Sequence, residues 1–416
     1  MIGHPAASAD VLVIGAGPAG LASARSAAIA GHRVVVIEAD PPARHVRGAG
    51  LLTPAAVATV ARHGLDAALA AGHRVDHVRI SSGDASTSSR WPTHPDHPDH
   101  GMVVDRQQLD VALAELATRA GAEIWFEHEA TSPVVDRGFV RGAHLTTVGG
   151  DRFDARAEFV VVADGANSRF GRALGSFRDP AFPFAVAHHT SYTSALHDAT
   201  EIEIVVCLRD RAGTPITGYG WMFPTGTGTV DVGVLLMSTS PSFQVLNPAH
   251  VLDRFVDEHG DRWHLVTPSR ASAGGRIPLG RSVGPAAGPT WLLAGDAAGV
   301  GDPWSGAGLG AAIASGVIAG GVIAEALDGG SATSLQRYPK LLDECFEPAY
   351  GVGRLADRFL GRPSISRQVG ERAARSEAVA DSFLRLATGA VRPSHPGPAE
   401  LVFRLARTLG VVLPGV

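Results

Sequence analysis

The sequence predicts an α/β protein: a Rossmann-like dinucleotide-binding domain, an inserted mainly antiparallel β-sheet substrate domain and a helical C-terminal tail. Three observations carry this. A strand-turn-helix-strand unit fills the first forty residues, strand-like sequence interrupts the α/β pattern from Pro183 to Leu236, and helical periodicity takes over from Ser334.

In the first unit, Asp10 to Gly15 is a short apolar run, Pro18 to Ala30 is Ala-rich and helix-forming, and Arg33 to Glu38 is β-branched. The turn reads Gly15-Ala16-Gly17-Pro18-Ala19-Gly20, and Glu38, followed by Ala39, comes 18 residues after its last glycine. Glycines permit the tight turn and bring a pyrophosphate to the helix N-terminus, whose free N–H groups attract it. Glu38 suits the ribose hydroxyls of an adenosine and disfavours a 2′-phosphate.

The α/β pattern resumes with a helix over Leu109 to Ala120, closed by Gly121, and a strand over Glu123 to Glu129. Phe139 to Thr147 and Arg152 to Ala163 read as an antiparallel excursion ending in a buried strand. Acidic and aliphatic residues alternate from Glu201 to Leu208, predicting a sheet with one wet and one dry face. Trp291 to Ala294 is strand-like, and the uncharged run Pro303 to Ala324 predicts a buried helix. In the tail Val369, Ala373, Ser376, Ala380 and Phe383 share a helical face that stops at Gly389. The expected organisation is a discontinuous FAD-binding domain (1–75, 101–178, 276–330), a substrate domain (76–100, 179–275) and a helical region (331–416).

Composition narrows the function. With 416 residues, 45% of them hydrophobic and 19% charged, the chain can bury a core in two or three units. A net charge of -5 and the lack of a recognised nucleic-acid module argue against a nucleic-acid partner. Cys207 and Cys345 stand far apart, so neither a disulfide framework nor a CxxC site is expected, and a reducing cytoplasm is the expected location. Lys340 is the only lysine, which argues against P-loop and Schiff-base chemistry. His94, His97 and His100 lie in a Pro-rich segment, Trp91 to His100, read as a solvated loop and not a metal site.

Two carboxylates follow buried strands: Asp164, before Gly165-Ala166-Asn167-Ser168, and Asp296, after Gly295. Ligands of doubly wound sheets sit at such strand ends, and a carboxylate there reaches the hydroxyls of a ribityl chain, although either Asp could simply cap a turn. Gly306-Ala307-Gly308-Leu309 opens the apolar helix, whose N–H groups would face the pyrimidine edge of an isoalloxazine. These features together point to FAD. No second strand-GxGxxG-helix unit exists for a nicotinamide, so NADPH or another electron donor would bind transiently.

On these segments, with Arg106-Gln107-Gln108-Leu109-Asp110 and Gly218-Tyr219-Gly220-Trp221-Met222-Phe223-Pro224, the chain resembles the geranylgeranyl reductase family of flavoproteins, which share the fold of para-hydroxybenzoate hydroxylase. The resemblance implies that Arg106, Asp164 and Asp296 support FAD. It places Arg47, Gly48 and Ala307 beside the flavin ring, and Tyr219, Trp221, Phe223 and Trp304 on the substrate (prenyl) pocket. Arg47-Gly48 stands where the family usually has a cysteine-glycine pair, and Ala307 where a glutamate is common. The implied reaction is reduction of carbon-carbon double bonds in a hydrophobic isoprenoid or related natural product. A flavin monooxygenase and an FAD-bound non-redox cyclase are the alternatives. The expected partner is a hydrophobic small molecule. Tail arginines such as Arg354 and Arg358 are read as a solvated helix face, because Asp357, Glu371 and Glu377 interleave them, with peripheral contact to an anionic membrane as the alternative.

Overall fold

The computed structural model describes residues 7–42, 49–210 and 212–412. Arg47 and Gly48 lie outside the described residues. The chain opens with β1 (Ala7–Ile14), α1 (Pro18–Ile29) and β2 (Val34–Ile37), the two strands running parallel. All four residues of β2 are buried, as strands covered on both faces require.

Next come β3 (Ala49–Leu52), α2 (Pro54–Arg62), β4 (His73–Val75), β5 (His77–Ser82), β6 (Ala85–Arg90) and β7 (Gly101–Asp105). After α3 (Arg106–Arg119) the strand expected over Glu123 to Glu129 is divided. β8 (Glu123–Trp125) ends at a turn where Glu127 takes a φ of 61°, which no extended strand accommodates, and β9 (His128–Asp136) begins. β10 (Phe139–Thr147) and β11 (Arg152–Val162) form the expected antiparallel excursion, and β11 returns parallel to β1.

Beyond α4 (Arg169–Ala173) and β12 (Phe177–Arg178), a second sheet is built from β13 (Phe184–Ser194), β14 (Glu201–Val206), β15 (Gly218–Pro224) and β16 (Thr229–Met237). α5 (Pro248–His259), β17 (Leu265–Pro268) and β18 (Ala273–Pro278) complete it, and β5 and β6 join it through a parallel β5–β14 pairing. After β19 (Val283–Gly284), β20 (Trp291–Leu293) pairs with β11, giving a first sheet in the order β8-β2-β1-β11-β10-β9. α6 (Leu309–Leu327) follows, then α7 (Tyr338–Leu360), α8 (Pro363–Ala373), α9 (Glu377–Ala387) and α10 (Pro398–Val412).

Three expectations change. The acidic face of β14 is not wet: Glu203 is fully buried, accepting from Ser81 and from Trp263 Nε1 and pairing with Arg262, beneath a core shared with α5. The helical face expected from Val369 to Phe383 breaks into α8 and α9, because the Ala374 carbonyl leaves the helix to accept from the Thr87 hydroxyl of β6. Arg354 is not on a solvated face but largely buried, bonded to Glu347 at 2.8 Å. Its guanidinium lies 5.6 Å from the centre of the Phe182 ring.

α6 is long and apolar enough to cross a membrane, yet much of it is buried against α1. Glycines make the approach possible. A Cβ at Gly316 would lie 2.1 Å from the Ala19 carbonyl oxygen, and one at Gly320 2.4 Å from that of Ser23. Gly316→Val therefore has to separate the helices, and a loss of about 1–3 kcal/mol is expected in urea unfolding. An unchanged midpoint would contradict this packing.

Candidate active site

The two sheets face each other across a cavity of about 830 Å³ that runs from the Gly15 turn to the aromatic strand β15. At the first end, Gly15 takes a φ of 101°, and a Cβ there would lie 2.4 Å from the Ala163 carbonyl oxygen. Gly17 caps α1, with Pro18 in its first turn, so the N-terminal N–H groups of the helix are left open. Gly15, Gly17, Pro18 and Ala19 line the cavity. Gly20 does not; its missing side chain lets α1 pass 1.9 Å, measured from a would-be Cβ, from the Gly15 carbonyl.

Glu38 is buried beside Ala39 on the cavity wall. Its carboxylate accepts from the Ala16 N–H at 2.7 Å and the Asp40 N–H at 3.0 Å, which fixes the glycine turn. Arg106 opens α3, capped by Asp105, which accepts from Gln107 N at 2.9 Å and Gln108 N at 3.0 Å. The Arg106 Nε is buried without a partner.

Asp164 follows β11. One oxygen accepts from Phe170 N at 3.1 Å, and the other, Oδ1, is buried without a partner. Gly295 and Asp296 follow β20, with Gly295 N donating to the Ser315 hydroxyl at 2.9 Å. The next loop is locked by Asp302, which accepts from Trp304 N at 2.9 Å and Ser305 N at 2.7 Å. It delivers Trp304, Gly306, Ala307, Gly308 and Leu309 to the cavity at the start of α6. Asp164 Oδ1 and Arg106 Nε are thus polar atoms without protein partners, set around an open glycine turn. They match the hydroxyls and pyrophosphate of FAD.

The other end is apolar. Tyr219, Trp221 and Phe223 line it, with Ile202, Ile204 and Val206 of β14 and Leu235 of β16. Trp221 and Phe223 stack at 5.7 Å. Trp91, expected in a solvated loop, is buried here and donates to the Val75 carbonyl at 2.8 Å. The His94 and His97 rings of that loop stack at 4.0 Å, and burial, aided by His94, pushes His97 down to about 4. Among the described residues, no His, Cys, Asp and Glu group is placed to hold a metal. Phe383, Leu384 and Ala387 of α9 reach in from the tail.

Sequence reading missed one polar cluster on this wall. Asp231, fully buried, accepts from Trp221 Nε1 at 2.9 Å and Ala49 N at 3.1 Å, and meets His189 Nδ1 at 3.2 Å. The signal is cross-strand: β13 and β16 set His189 opposite Gly233 and Ser191 opposite Asp231, so the pair is diagonal. Trp221 is also opposite Gly233, where a Cβ would lie 2.1 Å from its ring. Only glycine lets the indole cross to Asp231.

Burial pushes the Asp296 carboxyl up, with Arg106 opposing. A carboxyl raised in the fold contributes stability below its unfolded value and loses it as pH rises through the folded value. Asp296→Asn therefore raises the melting temperature of flavin-free protein at about pH 7.5 by roughly 2 °C or more, with the gap closing toward about pH 3.5. Scanning calorimetry showing no gap at either pH would contradict it.

The profile of the FAD binding domain family matches residues 8–229. A menaquinone reductase of Mycolicibacterium smegmatis is 32% identical over 406 residues, 97% of this chain and 96% of that protein. A digeranylgeranylglycerophospholipid reductase of Thermoplasma acidophilum is 30% identical over 356 residues, 81% of this chain and 84% of its own. The crystal structure of a geranylgeranyl bacteriochlorophyll reductase-like protein from Thermoplasma acidophilum shares the fold, with a TM-score of 0.78 and 24% identity over 97% of this chain and 99% of that one. The chain belongs to the geranylgeranyl reductase family of FAD-dependent oxidoreductases.

Proposed function

We propose that the protein reduces carbon-carbon double bonds in a long unsaturated isoprenoid chain, the reaction class for which its reductase relatives are named. The observation that carries this reading is the continuity of the cavity: the dinucleotide turn and the aromatic strand open into one space. Such an apolar end suits a substrate recognised by shape and burial.

In this reading Gly15, Gly17, Pro18, Ala19, Glu38 and Arg106 hold the adenosine and pyrophosphate of FAD, and Asp164, Gly295 and Asp296 take its ribityl hydroxyls. Gly306 to Leu309 border the flavin ring. Bound FAD, once reduced, supplies the electron pair for the reduction. The chain's own residues do the rest. Tyr219 is held by its hydrogen bond to the Ser305 carbonyl, and Trp221 by Asp231, so the aromatic wall is rigid and aligns an extended alkene. Ile204, Val206, Leu235 and Phe383 exclude water, which protects the electron pair from wasteful reaction.

Peripheral contact with a membrane, from which such substrates would be drawn, is part of the proposal, as is a transiently bound electron donor such as NADPH. Two measurements test it. Arg106→Ala weakens FAD binding by about tenfold or more in a flavin fluorescence titration, the loss of a charge-assisted contact; an unchanged affinity removes Arg106 from the site. Protein-bound FAD reduced under nitrogen is reoxidised by a polyprenyl alcohol, which carries no quinone ring, and mass spectrometry finds the product two hydrogens heavier. Reoxidation that needs oxygen, with oxygen-18 in the product, would instead establish a monooxygenase.

A further inference from the structure

We propose that His189, positioned by Asp231, is the residue that protonates the substrate carbon in the reduction assigned above; the proposal rests on that reading. Reducing an isolated alkene takes an electron pair with one hydrogen and a separate proton. On the wall that would hold the alkene, the Tyr219 hydroxyl and the Trp221 indole N–H are already committed to partners in the fold.

The geometry singles out one imidazole. His189 lines the cavity with its ring centre 6.1 Å from that of Trp221, the central residue of the aromatic wall. Its Nδ1 meets Asp231 at 3.2 Å, which leaves Nε2 as the nitrogen available to the cavity. The other imidazole on the cavity wall, His128, belongs to the Glu38 end and gives its Nδ1 to the Phe126 carbonyl at 2.6 Å. The Tyr219 hydroxyl is committed to Ser305, and burial pushes that phenol well up.

Asp231 is arranged to keep the proton on His189. It is a fully buried carboxylate whose other donors, Trp221 Nε1, Ala49 N and the Ser191 hydroxyl, are neutral, so the imidazolium is its natural counter-charge. Burial works against charge on His189, the hydrogen bond and charge of Asp231 outweigh it, and Arg106 at the start of α3 subtracts; the net displacement is upward. His188, the next residue on β13, is pushed down by burial and by His189.

In the step, the Nε2–H bond breaks as a C–H bond forms at one alkene carbon, while the other carbon receives hydrogen with the electron pair of the reduced flavin. The double bond becomes single, the flavin is left oxidised, and neutral His189 keeps its Nδ1–H on Asp231 until water restores the Nε2 proton.

His189→Gln, loaded with FAD and reduced under nitrogen, should retain the flavin spectrum but be reoxidised by a polyprenyl alcohol, which carries no quinone ring, about 100-fold more slowly. The wild-type rate should fall as pH rises through the His189 value, and Asp231→Asn should shift that midpoint to lower pH. Nitrogen-15 NMR of labelled histidine in the FAD-loaded protein should show His189 titrating above an ordinary imidazole and moving down in Asp231→Asn, a readout independent of turnover. Where His189→Gln does not retain FAD, that titration decides alone. Wild-type reoxidation with an unaltered rate in His189→Gln, or a His189 titration unmoved by Asp231→Asn, overturns the proposal. Wild-type protein indifferent to the polyprenyl chain overturns the substrate reading itself.

Discussion

At the ends of β1 and β11 and along the α1–α6 seam, backbones lie so close that no side chain fits between them: a Cβ at Gly15, Gly20 or Gly316 would fall about 2 Å from a neighbouring carbonyl oxygen. This close packing sets the site. It points the open N-terminus of α1 at the cavity, draws Asp164 and Asp296 to adjacent strand ends, and seats α6 so that its first residues border the same space. Buried carboxyls with raised protonation, and polar atoms with no protein partner, are tolerable there because a bound cofactor supplies what the protein withholds.

The second sheet contains two fully buried acids that resemble each other in burial and differ in company. Glu203 is held by Ser81, Trp263 and Arg262 on the α5 side, away from the cavity, and its role is to tie that side of the sheet together. Asp231 faces the cavity wall, and of its hydrogen-bond donors only His189 can change charge. One is a clamp and the other a poised pair, a distinction made by the chemistry of the donors.

The cofactor end was legible in sequence because it is local. Gly15 to Gly20, Glu38, Asp164 and Asp296 each sit within a few residues of a strand end that apolar runs reveal. Gly20 was read as a cavity residue because a motif gives spacing but not which glycine faces the ligand. The apolar end of the cavity depends on register. His189 and Asp231 are 42 residues apart and meet only through the β13–β16 pairing, with Gly233 leaving room between them. The alternation in β14 gave the right period and the wrong solvent, since α5, which covers its acidic face, lies some fifty residues downstream. Trp91 was hidden by its proline-rich neighbours, whose composition suggested a solvated loop.

The closing of the cavity by α9 has a consequence for how the molecule is made. Phe383, Leu384 and Ala387 are synthesised after both sheets, and β20, which completes the first sheet beside β11, comes after the whole second sheet. From the emergence of β16 until that of α9 the nascent chain therefore carries an aromatic, uncovered trough, and its nucleotide-binding half stays incomplete until β20 follows the second sheet. Slow non-local pairing of this kind leaves apolar surface open to wrong partners. Yield in a host cell should depend on flavin supply and chaperone capacity during that interval, more than on the stability of the finished fold.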